Sequence, residues 1–470
     1  MEARDPTKSA EISGPSRLDG EDRQPPVSMK GIVEDAFQLE RQLTQQPCGH
    51  MLTNAGVWSP DGRWIAYDVR AWDAVFDGTR VECVHVQSGE TRLLYESRHG
   101  AACGVVTFHP HKDQVVFIHG PENPNAEWSY GASHRRGVLV DCDKPGTARN
   151  LDACDIVSPF TPGALRGGSH VHVFSGDGQW VSFTYEDHVL AASAIETPAQ
   201  DMNLRTIGVS VPAGPVQVPR SHLRNHDGTF FSVLVVRVTA HPKAGSDEIS
   251  RACEEGWVGT NGYLKADGTW QSKALAFQGH VVTSTGQTIS EVFLVDLPGD
   301  MTCPGEGPLE GTAIRRPCPP RGTAQRRLTF TGDRAYPGLQ GPRHWLRSAP
   351  DGSRIGFLMK DAVGVVQLWT VTPNGGAPVQ ITHLPHSIAS AFSWSPDGTC
   401  VAFIADQSVM EVAMKTGRCV RLTPRVAHER APLPFACIYS PDGCNIAYLR
   451  SVAAGAGEWN QIFCVNSEPA

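Results

Sequence analysis

Gly167–His188 reads GGSHVHVFSGDGQWVSFTYEDH, an apolar strand, a Gly-Asp-Gly turn and a second apolar strand. In such a turn Asp bonds its own backbone and Gly takes a positive φ that other residues resist, so the segment predicts a tight hairpin. The unit recurs as WSPDGRWIAY (Trp58–Tyr67), SAPDGSRIGF (Ser348–Phe357), WSPDGTCVAF (Trp394–Phe403) and YSPDGCNIAY (Tyr439–Tyr448), with FHPHKDQVVF (Phe108–Phe117) a degraded copy. Each predicts the first two strands of a sheet.

A second marker closes several units: Arg41-Gln42-Leu43-Thr44, Arg327-Leu328-Thr329, Gln380-Ile381-Thr382 and Arg421-Leu422-Thr423. Where loops do not intervene, the spacing is near the 40–45 residues of a propeller blade. Small sheets that cannot bury themselves alone stack radially. The expected fold is all-β, a seven-bladed β-propeller of four-stranded antiparallel blades. The blades fall near 51–95, 101–151, 166–218, 228–329, 340–382, 388–423 and 434–470. The marker at Arg41–Thr44 precedes the first blade and is expected to supply the outer strand of the last, closing the ring. Residues 1–30 read as a disordered tail and 31–470 as the propeller, with an insertion in blade four at about 240–320. Within it Gly245–Gly259 predicts a short helix, Ser246 its N-cap and Gly256 its terminator. Asp247, Glu248, Glu254 and Glu255 would then form a solvated helix face.

With 41 Lys+Arg against 49 Asp+Glu the net charge is -8, which argues against nucleic acid as a partner. No apolar run approaches the roughly 18 residues of a membrane span. The N-terminus mixes charges and prolines without the apolar core of a signal peptide. Thirteen cysteines without a C-x-x-C pair suit a reducing compartment. A cytoplasmic protein with neither membrane nor nucleic-acid partner is expected. No G-x-S-x-G, G-x-x-x-x-G-K-[ST] or H-E-x-x-H motif occurs, which leaves most protease and nucleotide chemistries without support.

His170 and His172 occupy alternate strand positions, on one side and about 6–7 Å apart. His344 begins the inner strand of blade five and His50 precedes that of blade one; histidines of different inner strands meet only at the axis. Such a set would hold a divalent metal, Zn, Mn, Fe or Ni, or would simply hydrogen-bond loops around a polar channel. Arg166 and Arg343 stand just before these histidines and suit a carboxylate or phosphate on a ligand, or pin loops. Gly120–Trp128 (GPENPNAEW) and His134-Arg135-Arg136 lie in a long connection of blade two. There Trp128 would stack on a sugar while Glu122 and Arg135 bind its polar groups, the plain alternative being a packed surface loop.

The Ser-Pro-Asp-Gly units resemble TolB-type propeller repeats. From His50 onward, stretches such as FIHGPENP, PFTPGALRGGSHVHVFS, QRRLTFTGDRAYPGL and PRHWLRS resemble the largely uncharacterised bacterial YidR-like family. Residues 259–274 look like an added loop. The family has no established activity to carry over. A more distant resemblance is to oligogalacturonate lyases, propellers that hold a divalent metal with histidines and cleave uronate chains by β-elimination. That likeness implies an anionic saccharide as substrate and His50, His170, His172 and His344 as metal ligands. It gives Arg166 and Arg343 the acid group and its enediolate, and makes Tyr336 or His188 the base. The alternative is a non-catalytic propeller that binds a protein or peptide, as the TolB likeness implies.

Overall fold

The computed structural model describes residues 33–72, 74–196, 202–455 and 457–467. The expected tail at 1–30 lies outside the described residues. Seven four-stranded antiparallel blades form a propeller ring. Blade one is His50–Met51, Trp64–Val69, Arg80–His85 and Thr91–Glu96, and blade two Cys103–Phe108, Gln114–His119, Arg136–Asp141 and Ala148–Asn150. Blade three is Gly167–Phe174, Val181–Asp187, Thr206–Val211 and Phe231–Leu234. Blade four is Ile249–Trp257, Ala274–Val282, Thr288–Asp296 and Ala324–Arg327. Blades five and six begin at Arg347 and Ser393, and blade seven runs from Pro432 to Asn466.

The repeat works as its sequence suggests. In four copies the serine hydroxyl (Ser59, Ser175, Ser395, Ser440) donates to the turn aspartate and accepts the N–H that opens the next strand. The turn glycine has φ of 68° to 74° in all five clear copies. In the closing marker, Thr44, Thr329, Thr382 and Thr423 are buried, and each hydroxyl accepts the N–H of a third-strand residue: Ile462, Val292, Leu368 and Val409. Glu40–Gln42 pairs antiparallel with Gly457–Asn466, so the N-terminal strand completes blade seven and closes the ring. Val33–Asp35 adds a parallel fifth strand to blade six.

Two expectations are corrected. The outer strand of blade three is Phe231–Leu234, reached through the connection 212–230, so that segment does not open blade four. The helix expected at 245–259 is instead the inner strand Ile249–Trp257. Ser246 caps no helix; its hydroxyl donates to Lys243 O in a turn. Gly256 terminates nothing either. A Cβ there would lie 2.1 Å from Leu346 O, so glycine is needed for the close approach of blade five. Two bulges kink this strand and break the alternation by which a strand is recognised. Nor do the four carboxylates share a solvated face, since Glu255 is buried.

Apolar clusters fill the seams between blades, for instance Trp180, Ile207, Leu275 and Phe277 between blades three and four. At about 1.5–3 kcal/mol per buried large side chain, these seams hold the ring together. The seam between blades two and three is thinner, with Val116, Leu139, Leu151, Phe174 and Val181. Polar groups take up the remainder of it.

Candidate functional site

The polar part of this seam begins at a bulge. Between His170 and Val173 the inner strand carries one extra residue, and Val171 sits at φ 57°. The bulge changes what His-Val-His presents: Val171 lines the axial cavity, while both imidazoles are buried in the blade. His172 Nε2 lies 3.0 Å from Ser169 Oγ, and that hydroxyl donates to Asp152, which also accepts the Gly137 N–H. His172 thus belongs to a buried network joining blades two and three, and burial depresses its pKa to about 3. His170 makes no hydrogen bond through its ring among the described residues. Burial, with Arg135, Arg205 and Arg343 nearby, holds it well below the usual range and therefore neutral.

The other two histidines lie apart from this pair. His344 is buried, Nδ1 bonding Pro342 O at 2.9 Å and Nε2 accepting the Leu358 N–H at 3.1 Å. In blade six Ser390 does the same for the N–H of Ile404, so His344 caps a β-ladder and has no nitrogen left for a metal. His50 bonds Asn460 O through Nδ1 and packs on Tyr67. Among the described residues no group of three or more His, Cys, Asp or Glu stands together as a metal site. The expected four-histidine ligand set does not fit this geometry, because two members are spent on backbone groups and the bulge withdraws the others.

Arg166 is likewise taken. It is almost wholly buried, pairs with Asp187 at 2.8 Å and donates to Thr312 O and Arg315 O, which pins the blade-four loop. The site therefore leaves no room for Arg166 as a catalytic group. Tyr336 packs beside Gly364 with Lys360 over its ring, at the rim of blade five. Arg343 pairs with Glu254 and lines the axial cavity.

The blade-two residues do come together. At the end of the ring opposite the Ser-Pro-Asp-Gly turns, Glu122, Trp128 and Arg135 line one cleft of about 550 Å3, beside Arg136, Arg224 and His226. Trp128 stacks on His134 at 3.9 Å and tilts against His188, whose Nδ1 is 3.0 Å from His134 Nε2. His188 is therefore an element of the loop's packing, and one face of Trp128 is covered. Arg136 pairs with Glu122, and Arg224 donates to the carbonyls of Glu122 and Asn123. Arg135 is different. Its half-buried guanidinium has no hydrogen bond or ion pair among the described residues, only the ring of Tyr130 at 5.2 Å, and burial lowers its pKa.

His226 joins the cleft without any signal in the sequence. Its Nδ1 bonds Arg224 O, leaving Nε2 as a lone pair buried without a partner in the cleft wall, and burial brings its pKa to about 4. It lies in the connection 212–230, whose return to the link between blades two and three through the Cys154–His226 bridge has no signal in the sequence.

Comparison with known proteins agrees with the fold. Residues 102–226 match a family model described as a protein of unknown function, DUF3748, and that span holds every residue that lines the cleft. The chain is 46% identical over 425 residues to the uncharacterised protein YidR of Escherichia coli (strain K12), covering 90% of this chain and 97% of that one. Among solved structures it is similar to an oligogalacturonate lyase in complex with manganese, at a TM-score of 0.50, 10% identity, and 93% and 98% coverage. It is also similar to TolB from Acinetobacter baumannii, at a TM-score of 0.34, 13% identity, and 87% and 81% coverage. At 10% identity the likeness to the lyase speaks to fold alone.

Proposed function

The chain belongs to the YidR-like family of β-propellers, and we propose that it binds a small anionic ligand, best a carboxylated saccharide of the uronate type, in the cleft between blades two and three. The observation that carries this reading is Arg135. Neighbouring guanidiniums are matched, Arg136 by Glu122, Arg205 by Glu186 and Arg343 by Glu254, whereas Arg135 is half-buried and unmatched. An uncompensated charge in a cleft calls for an anion, and the guanidinium fork suits a carboxylate. The rest of the wall suits hydroxyls: His226 Nε2 accepts one, and the carboxylate of Glu122 another.

If the ligand is turned over, the reaction we infer is elimination next to the carboxylate. His226 is a neutral imidazole with a free lone pair, able to take the proton from the carbon beside the acid group. Arg135 would stabilise the enediolate that forms as that proton leaves; its collapse to a C=C bond breaks the C–O bond at the next carbon, and the departing sugar oxygen takes its proton from water or from the His226 imidazolium. Binding and appearance of an unsaturated product should both fail in Arg135→Met, while His226→Gln should lose product and retain most binding. Normal turnover by either variant would refute the elimination.

A second reading, docking of a protein partner, is favoured by one feature. The hairpin Tyr263–Leu264/Trp270–Gln271 projects from the turn end of blade four with Leu264 opposite Trp270, both more than half exposed. Leu264→Ser with Trp270→Ser should abolish partner capture without affecting ligand binding in the cleft; capture by that double variant would exclude the hairpin.

A further inference from the structure

A second cavity, of about 290 Å3, lies on the ring axis among the inner segments of blades one, two, three, five and seven, and shares no lining residue with the cleft. Leu52, Val105, Val171 and Phe435 give it apolar walls, and Thr53, Asn54 and Trp345 its polar groups. The polar groups are unusual. Thr53 Oγ1, both amide atoms of Asn54 and Trp345 Nε1 are buried without a hydrogen-bond partner among the described residues, and Asn54 is only 2% exposed. Each orphaned polar atom costs about 1–3 kcal/mol. Four in one wall imply that something polar meets them there.

The chemistry of that occupant follows from the inventory. Three of the groups donate, the Thr53 hydroxyl, the Asn54 amide N–H and the Trp345 indole N–H, against one obligate acceptor, Asn54 Oδ1. Beneath them the half-buried Arg347 donates to Asn54 O, with the carboxyls of Glu255 and Glu254 as its neighbouring opposite charges. Arg70 and Arg343, also in the wall, are matched by Asp68 and Glu254. An excess of donors over a positive charge, inside apolar walls, selects an acceptor-rich anion with an apolar body. Val105 and Val171 hold corresponding bulges in adjacent blades at φ 58° and 57°. β-Branched residues there cost about 1–3 kcal/mol each, strain of the kind that accompanies ligand sites.

We propose that the axial cavity binds a small monocarboxylate with an apolar body, aromatic or branched aliphatic, its carboxylate bonded by Thr53, Asn54 and Trp345. This site is separate from the cleft and does not depend on the function assigned there. The test is calorimetric titration of the full chain with benzoate, and with benzyl alcohol as the uncharged counterpart. Benzoate should bind and benzyl alcohol should bind at least about tenfold more weakly. Trp345→Phe, which keeps the ring and deletes the donor, and Thr53→Val should each weaken benzoate by about three- to tenfold. Arg135→Met should leave it unchanged. Absence of benzoate binding, equal binding of the two probes, or indifference to both axial substitutions would overturn the proposal. So would loss in Arg135→Met, which would place benzoate in the cleft. Melting curves establish that each variant is folded; if Thr53→Val is not, Trp345→Phe decides alone.

Discussion

Among single residues, the difference between Arg135 and Arg166 shows what a side chain's type leaves open. Both were candidate ligand groups in the sequence, yet Arg166 is consumed by Asp187 and two carbonyls while Arg135 has no such partner. Partnership is a tertiary property, settled by the loop at Thr312 far along the chain. The same holds for histidine. His344 is needed by the Leu358 N–H, so His344→Ala should cost about 1–3 kcal/mol in urea unfolding and leave the metal content unchanged. A loss of bound metal in that variant, with stability retained, would restore the ligand role. The residue types of the cleft, Glu122, Trp128 and Arg135, were legible because they cluster in one connection. His226 was not, because only the fold returns it to them.

At the level of elements, the hairpins and the closing threonines were legible because each is a local hydrogen-bonding unit repeated with the same chemistry. Bulges are not. An extra residue at Val105, Val171 and Glu254 leaves no mark in composition, yet it reverses which side chains face the axis. That is why His-Val-His read as an axial pair and why GSDEISRACEEGWVG read as a helix. Gly256 now acquires a definite role. Gly256→Ala would drive a Cβ to 2.1 Å from Leu346 O, separating blades four and five, and should cost about 2–4 kcal/mol, read as a lowered denaturation midpoint. A midpoint within experimental error of wild type would mean that the two strands do not approach so closely.

For the whole molecule, ring closure by Glu40–Gln42 and the radial order of blades followed from the repeat, whereas the polar interior did not. Glu255 illustrates the consequence. It is buried with one oxygen bonded by Thr184 and the other unpartnered, and burial pushes its pKa up to about 7 from an ordinary value of 4.5. A carboxyl raised on folding keeps its proton in the native state while the unfolded chain releases it. Its contribution is therefore complete below about pH 4.5 and lost as pH rises through about 7. The stability difference between wild type and Glu255→Gln, from urea unfolding at pH 5 and pH 8, should shift against wild type at the higher pH. No change in that difference would show that Glu255 is not buried as a neutral acid. The anion seat at Arg135 is tested by calorimetric titration of wild type and Arg135→Met with galacturonate oligosaccharides and their uncharged reduced counterparts. Wild type should bind the acid form, weakened at least about tenfold in the variant and in the uncharged sugar, with melting temperatures alike. Equal binding by both proteins, or none by wild type, would contradict it.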